Sequence, residues 1–221
     1  MGNAQPSNYL LDNYIAHKLS ELTQCHAPEL KDDAKWLNTF ILNSVFRVQL
    51  PAKTRAYVFN FLRRTEGATS AYRAALSQIH EYLNTPRNVI SPYFRALSHI
   101  EICIAQCYQG YELLARASGE SIYTQGDGSP EERLQIVYVD SKHMDHMIAG
   151  DKLPEEATAG IWITNTGIAS ARGALTFAEL HGILCNMRSL AERLSALGPS
   201  PHGTSEGATG KIGDRVNREH G

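Results

Sequence analysis

The residues best suited to acid–base chemistry lie together in one segment, residues 132–146. Within it, Asp140 stands three positions before His143, which in a helix places the carboxylate one turn before the imidazole. A carboxylate in that position can orient an imidazole that acts as a general acid or base. The same spacing also fits an intrahelical pair that satisfies a half-buried histidine. The pattern therefore leaves a catalytic and a structural interpretation open.

Metal binding is the second chemistry that this segment suggests. His143 and His146, with Asp140 or Asp145, are ligand types suited to zinc or a similar divalent ion. The spacing His-x-x-His, however, lacks the i, i+4 relation that places two ligands on one face of a helix. We therefore predict no metal site. We also expect no cofactor, because the sequence has neither a Walker or dinucleotide glycine loop nor a Gly-x-Ser-x-Gly motif.

The strongest helical pattern in the chain is residues 91–117, where polar side chains fall on one narrow stripe and most others are apolar. Arg95 and His99 share the polar stripe. Glu101 instead shares a face with apolar residues, where an unpartnered carboxylate would be strongly destabilising. We therefore expect Glu101 to meet a cation or to carry a proton, and Lys142 and His143 are its candidate partners.

Apolar periodicity and capping signals predict the elements that must position these residues. The helix that starts near residue 52 should continue through Gly67, because this glycine costs about 1 kcal/mol relative to alanine without changing the apolar phase. Residues 161–164 and Ile168 flank a turn signal and predict a two-stranded hairpin. The other helices are expected at 7–25, 36–46, 52–83, 129–149 and 177–197, the last with a capping box at Thr176 and Glu179.

Composition indicates a single domain without global affinity for polyanions. The 221 residues are 43% hydrophobic, enough for one core, and the formal net charge of -2 gives no overall attraction for nucleic acid or anionic lipid. The four cysteines form no C-x-x-C pair and suit free thiols. No apolar run is long enough to span a membrane, and no signal peptide is recognised. We expect a soluble, cytoplasmic protein with no membrane partner.

The expected architecture is an all-α bundle of five or six helices with a small β-hairpin before the last helix. N-terminal helices in residues 1–50 should pack on a helical domain of residues 51–198, followed by a disordered tail over 199–221. The helix over 129–149 has two partly apolar faces, which predicts a second burying surface and a homodimer through it. One face carries Leu134, Val137, Ser141, Met144 and Ile148, and the other carries Ile136, Asp140, His143 and Met147.

Four short motifs stand out in the predicted helical domain: Gly126-Asp127-Gly128-Ser129, Arg133-Leu134, residues 138–143 ending in Lys142-His143, and residues 161–164. Together with the order of elements, they resemble the HEPN superfamily of all-helical prokaryotic domains, over residues 52–196. In active members an Arg followed by a polar residue precedes the His by five to seven positions, and the pair cleaves RNA without metal at a composite dimer site. This chain departs from that pattern, with Ile136, Val137 and Tyr138 at those offsets and Val139 at the polar position.

The resemblance implies a HEPN-like module that is ribonuclease-inactive and binds a protein or RNA partner, in a prokaryotic defence or toxin–antitoxin setting. Of the ribonuclease pair it carries over His143 alone, and Arg95 with His99 are the residues that would replace the missing Arg from across the bundle. The alternative is an active metal-independent endoribonuclease using His143 with a displaced Arg95 or Arg133. A structural helical scaffold is the second alternative. The candidate binding positions are Glu101, Arg133, Tyr138, Lys142 and His146.

Overall fold

The structure is a computed structural model that describes residues 18–31, 35–46, 50–86, 89–153 and 157–196. The tail predicted after residue 199 lies outside these ranges, as does most of the helix predicted over residues 7–25. The described part of this predicted helix begins at residue 18 and contains a short 3-10 turn at Leu19–Glu21. Leu19 in this turn is fully buried and belongs to the main core.

The predicted all-α class with a small sheet before the last helix is confirmed. Capping signals hold as well: the Ser129 hydroxyl accepts a hydrogen bond from the Glu132 amide at 3.1 Å, and Thr176 and Glu179 form a reciprocal capping box. The described helices are α1 (Trp36–Phe46), α2 (Ala52–Asn84), α3 (Ser91–Ser118), α4 (Pro130–Lys142), α5 (Met144–Ala149) and α6 (Phe177–Ser195).

The long helices α2 and α3 form an antiparallel pair that supplies most of the core. Arg64 of α2 donates to Gln106 of α3 at 2.9 Å, and Arg95 near the start of α3 pairs with Glu81 near the end of α2. Helix α2 continues through Gly67, as predicted, and a side chain there would come within 3.3 Å of the Gln106 side chain. Fully buried aromatic and aliphatic side chains fill the space between these helices and their neighbours, among them Phe61, Tyr72, Ile79, Tyr93 and Ile100.

The sheet before the last helix has three strands rather than the two predicted. Strands β1 (Ile161–Ile163), β2 (Gly167–Ser170) and β3 (Ala174–Thr176) form an antiparallel meander. The second turn of this meander, between β2 and β3, was not predicted. Trp162 and Ile168 are buried, because a small sheet is stable in water only when its apolar side chains pack against other elements.

The single helix predicted over 129–149 is interrupted at His143, whose backbone dihedrals are φ −111° and ψ 34°. This break separates α4 from α5. Met147 is 6% exposed, whereas Met144 and Ile148 are 36% and 57% exposed. The predicted apolar face containing Met144 and Ile148 is therefore wrong beyond residue 142, where Met147, which was predicted on the other face with Asp140, is the buried side chain.

Two further sequence predictions concern the cysteines and the membrane. All four cysteines are free thiols, and Cys103 and Cys107 are buried in α3, as expected. Within the described ranges, every helix is too short or too polar to cross a bilayer.

Candidate functional site

Asp140 is the most deeply buried charged residue of the candidate segment, with 1% of its side chain exposed. Its Oδ1 accepts a hydrogen bond from Arg172 Nε at 2.6 Å, and Arg172 Nη2 forms an ion pair with the same oxygen at 2.5 Å. Arg172 lies in the turn between β2 and β3, and 54% of its side chain is exposed. The predicted pairing of Asp140 with His143 is therefore wrong: the carboxylate faces the sheet side of α4, where a guanidinium reaches it.

The other carboxylate oxygen of Asp140 is unusual. Oδ2 is buried and finds no hydrogen-bond donor among the described residues. Close backbone packing contributes to this enclosure, since a Cβ added at Gly160 would lie 2.5 Å from the Asp140 carbonyl oxygen. Asp140 thus depends on Arg172 for its compensation, which makes the pair the electrostatic link between α4 and the sheet.

His143 occupies the break between α4 and α5, where it is half-buried. Its ring stacks on that of His146, with 5.5 Å between centroids and 13° between planes. Asp145 is on the same side, so one potential ligand atom from each of the three residues falls within 4.8 Å of the others. The structure thus brings together two imidazoles and a carboxylate, although Asp145, two positions after His143, would face away from it on an unbroken helix.

Glu101 meets a hydroxyl rather than the expected Lys142 or His143. The Ser141 hydroxyl donates to Glu101 Oε1 at 3.2 Å and so joins α3 to the end of α4. Burial raises the pKa of the Glu101 carboxyl, and the bond from Ser141 opposes that rise more weakly. Neither expected cation bonds Glu101 among the described residues, and its burial makes proton binding more favourable than at an exposed carboxyl.

The residues considered as replacements for a missing arginine are held elsewhere. Arg95 donates to Glu81 at 2.8 Å and also bonds Gln78, both on α2. Arg133 bonds Glu179 at the start of α6 and the Gly128 carbonyl. Within the described ranges, neither arginine forms a hydrogen bond or an ion pair with His143.

His99 is also placed on α3, where it is half-buried. It forms no polar contact with His143 among the residues that the structure describes. The predicted composite of Arg95, His99 and His143 is therefore not assembled within this one chain.

The binding candidate Tyr138 of α4 is partly buried and stacks on Tyr108 of α3. The rings of Tyr138 and Tyr108 lie 4.4 Å apart at an interplanar angle of 19°, and Lys142 Nζ is 5.7 Å from the Tyr138 centroid. Desolvation, followed by the nearby Glu112 carboxylate, raises the pKa of Tyr108 to about 12. Since the two rings cover one face of each other, a nucleic-acid base could stack on an outer face alone.

Arg172 is the residue that sequence reasoning missed. The predicted hairpin ended at Ile168, so the second turn and its arginine were not considered. The predicted faces placed Asp140 opposite Leu134 and Val137, whereas the structure buries all three. A buried carboxylate needs a cation or a proton, as argued for Glu101. The sequence gives no indication of which cation that would be, because it is more than 30 positions away.

Fold and site together define a helical-bundle protein with a three-stranded meander braced by a buried carboxylate–guanidinium pair. No family model matches the chain, and comparisons with curated proteins and with solved structures gave no match.

Proposed function

We propose that this chain is a HEPN-like helical module without ribonuclease activity, and that it acts by binding another protein. The resemblance to HEPN domains supplies the class and its prokaryotic defence or toxin–antitoxin setting. The non-catalytic part of the proposal rests on one observation. Arg95, Arg133 and Arg172 are each paired with a carboxylate, away from the His143 ring.

Metal-independent RNA cleavage needs a positive group beside the histidine, because negative charge grows on the phosphoryl oxygens in the transition state. Arg95 is paired with Glu81, and Arg133 with Glu179. Arg172 also reaches α4, but its guanidinium is paired with Asp140. A ribonuclease reaction that used Arg95, Arg133 or Arg172 beside His143 would have to break one of these pairs, and for Arg172 that would leave a buried carboxylate without compensation.

A protein partner fits the surface around the α4–α5 break better than RNA does. Met144 and Ile148 expose aliphatic surface immediately after the break, and Ile102, next to Glu101 on α3, is 47% exposed. With a formal net charge of -2, the chain lacks the positive excess that drives phosphate binding. A second copy of the chain is the simplest protein partner, in keeping with the dimers of the HEPN class.

The catalytic question is tested with purified full-length chain and structured RNA in EDTA. We expect no cleavage. Cleavage that disappears in His143→Ala, while circular dichroism and thermal unfolding stay at wild-type values, would reject the proposal in favour of an active ribonuclease. Saturable RNA binding without cleavage would indicate that the partner is RNA rather than a protein.

The partner surface is tested by sedimentation equilibrium of Ile148→Asp against Leu42→Asp. The two side chains are similarly exposed, at 57% and 59%, but lie on α5 and α1. We expect wild type and Leu42→Asp to dimerise and Ile148→Asp to remain monomeric. A wild-type chain that is monomeric at all concentrations, or equal behaviour of the two variants, would contradict association through α5.

A further inference from the structure

We propose that His143, Asp145 and His146 form a binding site for one divalent transition-metal ion of the zinc type. The inference does not depend on the proposed function, because it rests on the donor atoms at the α4–α5 break. It adds a ligand that the sequence alone argued against.

The three donors are close to the arrangement that an ion requires. His146 Nε2 and Asp145 Oδ2 are 3.7 Å apart, and one potential ligand atom from each residue falls within 4.8 Å of the others. With metal–ligand bonds of roughly 2.0 Å, tetrahedral geometry separates neighbouring ligands by about 3.3 Å. Asp145 and His146 have side chains 77% and 78% exposed, so rotation about their side-chain bonds meets little resistance.

The break at His143 removes the geometric objection to a His-x-x-His pair. In a continuous helix, residues i and i+3 project in directions that differ by about 60°. Here His143 leaves the helical conformation, and its ring lies 5.5 Å from that of His146 between centroids. Because a bound ion lies in the plane of each imidazole, the exposed His146 ring must rotate out of the stack when the ion binds. Apart from this stacking, the imidazole of His143 makes no hydrogen bond or ion pair within the ranges described, so its ring nitrogens are available.

The donor set selects the kind of ion. Two imidazoles and one carboxylate suit Zn²⁺, Ni²⁺ or Cu²⁺, whereas Mg²⁺ and Ca²⁺ prefer oxygen ligands alone. Three protein donors leave a fourth position, which water fills at an exposed site. The site therefore has the ligand number of an open zinc site rather than that of a closed structural one.

A second His-containing pair in the chain serves as the matched control. On α6 the Cys185 sulfur lies 3.7 Å from His181 Nδ1 at i, i+4 spacing, and the cysteine is exposed. This pair offers two ligands and lacks a third His, Cys, Asp or Glu close enough to complete a cluster in the described residues. Replacing it removes the most obvious competing thiolate without touching the α4–α5 break.

The experiment is calorimetric titration of the full-length chain with ZnCl₂, repeated with MgCl₂, for wild type and four variants. We expect one tight equivalent of Zn²⁺ and no Mg²⁺ binding. His143→Ala and His146→Ala should weaken the tight equivalent by more than the 10–100-fold that loss of an outer-shell hydrogen bond causes. Asp145→Asn should also weaken it, and the double variant His181→Ala with Cys185→Ser should retain it.

Substitution of Zn²⁺ by Co²⁺ provides a readout of geometry, because visible absorption bands report a low-coordinate cobalt site. No saturable Zn²⁺ binding, or a tight equivalent that survives both His143→Ala and His146→Ala, would overturn the proposal. Loss of binding in the double variant alone would assign the ion to α6 instead. If His143→Ala does not fold, Zn²⁺ binding by His146→Ala still tests the proposal, because His146 is exposed. Neither result bears on RNA cleavage, which is assayed in EDTA.

Discussion

Replacing Arg172 by alanine should destabilise this protein far more than an exposed arginine normally would. Asp140 is 1% exposed and its Oδ2 has no donor among the described residues, so Arg172 supplies its only compensation there. Removing one partner of a buried ion pair costs about 3–5 kcal/mol. Because 54% of the Arg172 side chain is exposed, water can approach once it is removed, and we expect a loss of about 2–3 kcal/mol.

The free energy of unfolding is measured by urea denaturation followed by circular dichroism. With a slope of about 2 kcal/mol per molar urea, the expected loss moves the midpoint by about 1 M. Arg95→Ala is the matched control, because Arg95 also pairs with a carboxylate, but both side chains of that pair are about half exposed. Its cost should stay within about 0.5 kcal/mol.

A double-mutant cycle identifies the origin of the effect. Asp140→Asn removes the buried charge, so Arg172→Ala should cost little in that background, and the coupling between the two positions should be about 1–3 kcal/mol. If Arg172→Ala proves as mild as Arg95→Ala, or if the two single losses simply add in the double variant, Asp140 is not held by Arg172 in the way described.

Two further predictions test the Glu101 environment and the meander. Burial raises the pKa of Glu101, so the folded state holds its proton more tightly than the unfolded chain does, and stability should fall as pH rises above about 4.3 towards the folded pKa. Glu101→Gln should remove that fall and leave the protein at least as stable at pH 7 in pH-dependent urea titrations. Unchanged pH dependence would refute this. Gly167→Ala should cost at least about 2 kcal/mol, because its Cβ would lie 2.3 Å from the Leu175 carbonyl oxygen, whereas Gly182→Ala in α6 meets nothing within 4 Å and should stabilise by about 0.5–1 kcal/mol in thermal unfolding. Equal effects of the two glycine substitutions would contradict the strand packing.

The helices were predictable because their signals are local. Capping at Ser129 and Thr176 depends on residues three positions apart, and the apolar phase of α2 passes Gly67 without interruption. The break at His143 was not predictable in the same way. Residues 134–149 keep a helical pattern on both sides of it, and the backbone of Gly160, which packs against the Asp140 carbonyl, arrives from a distant part of the chain.

The same distinction between local signals and contacts between distant residues applies to the candidate site. From the sequence alone it was clear that Glu101 would be sheltered and that Asp140 and His143 would lie near each other along the chain. The folded chain alone determined that Ser141 meets Glu101, that Arg172 takes Asp140, and that His143 turns towards His146. Periodicity and caps are encoded within a few residues of each other, whereas the partner of a buried charge is set by how separate elements pack, which no local pattern specifies.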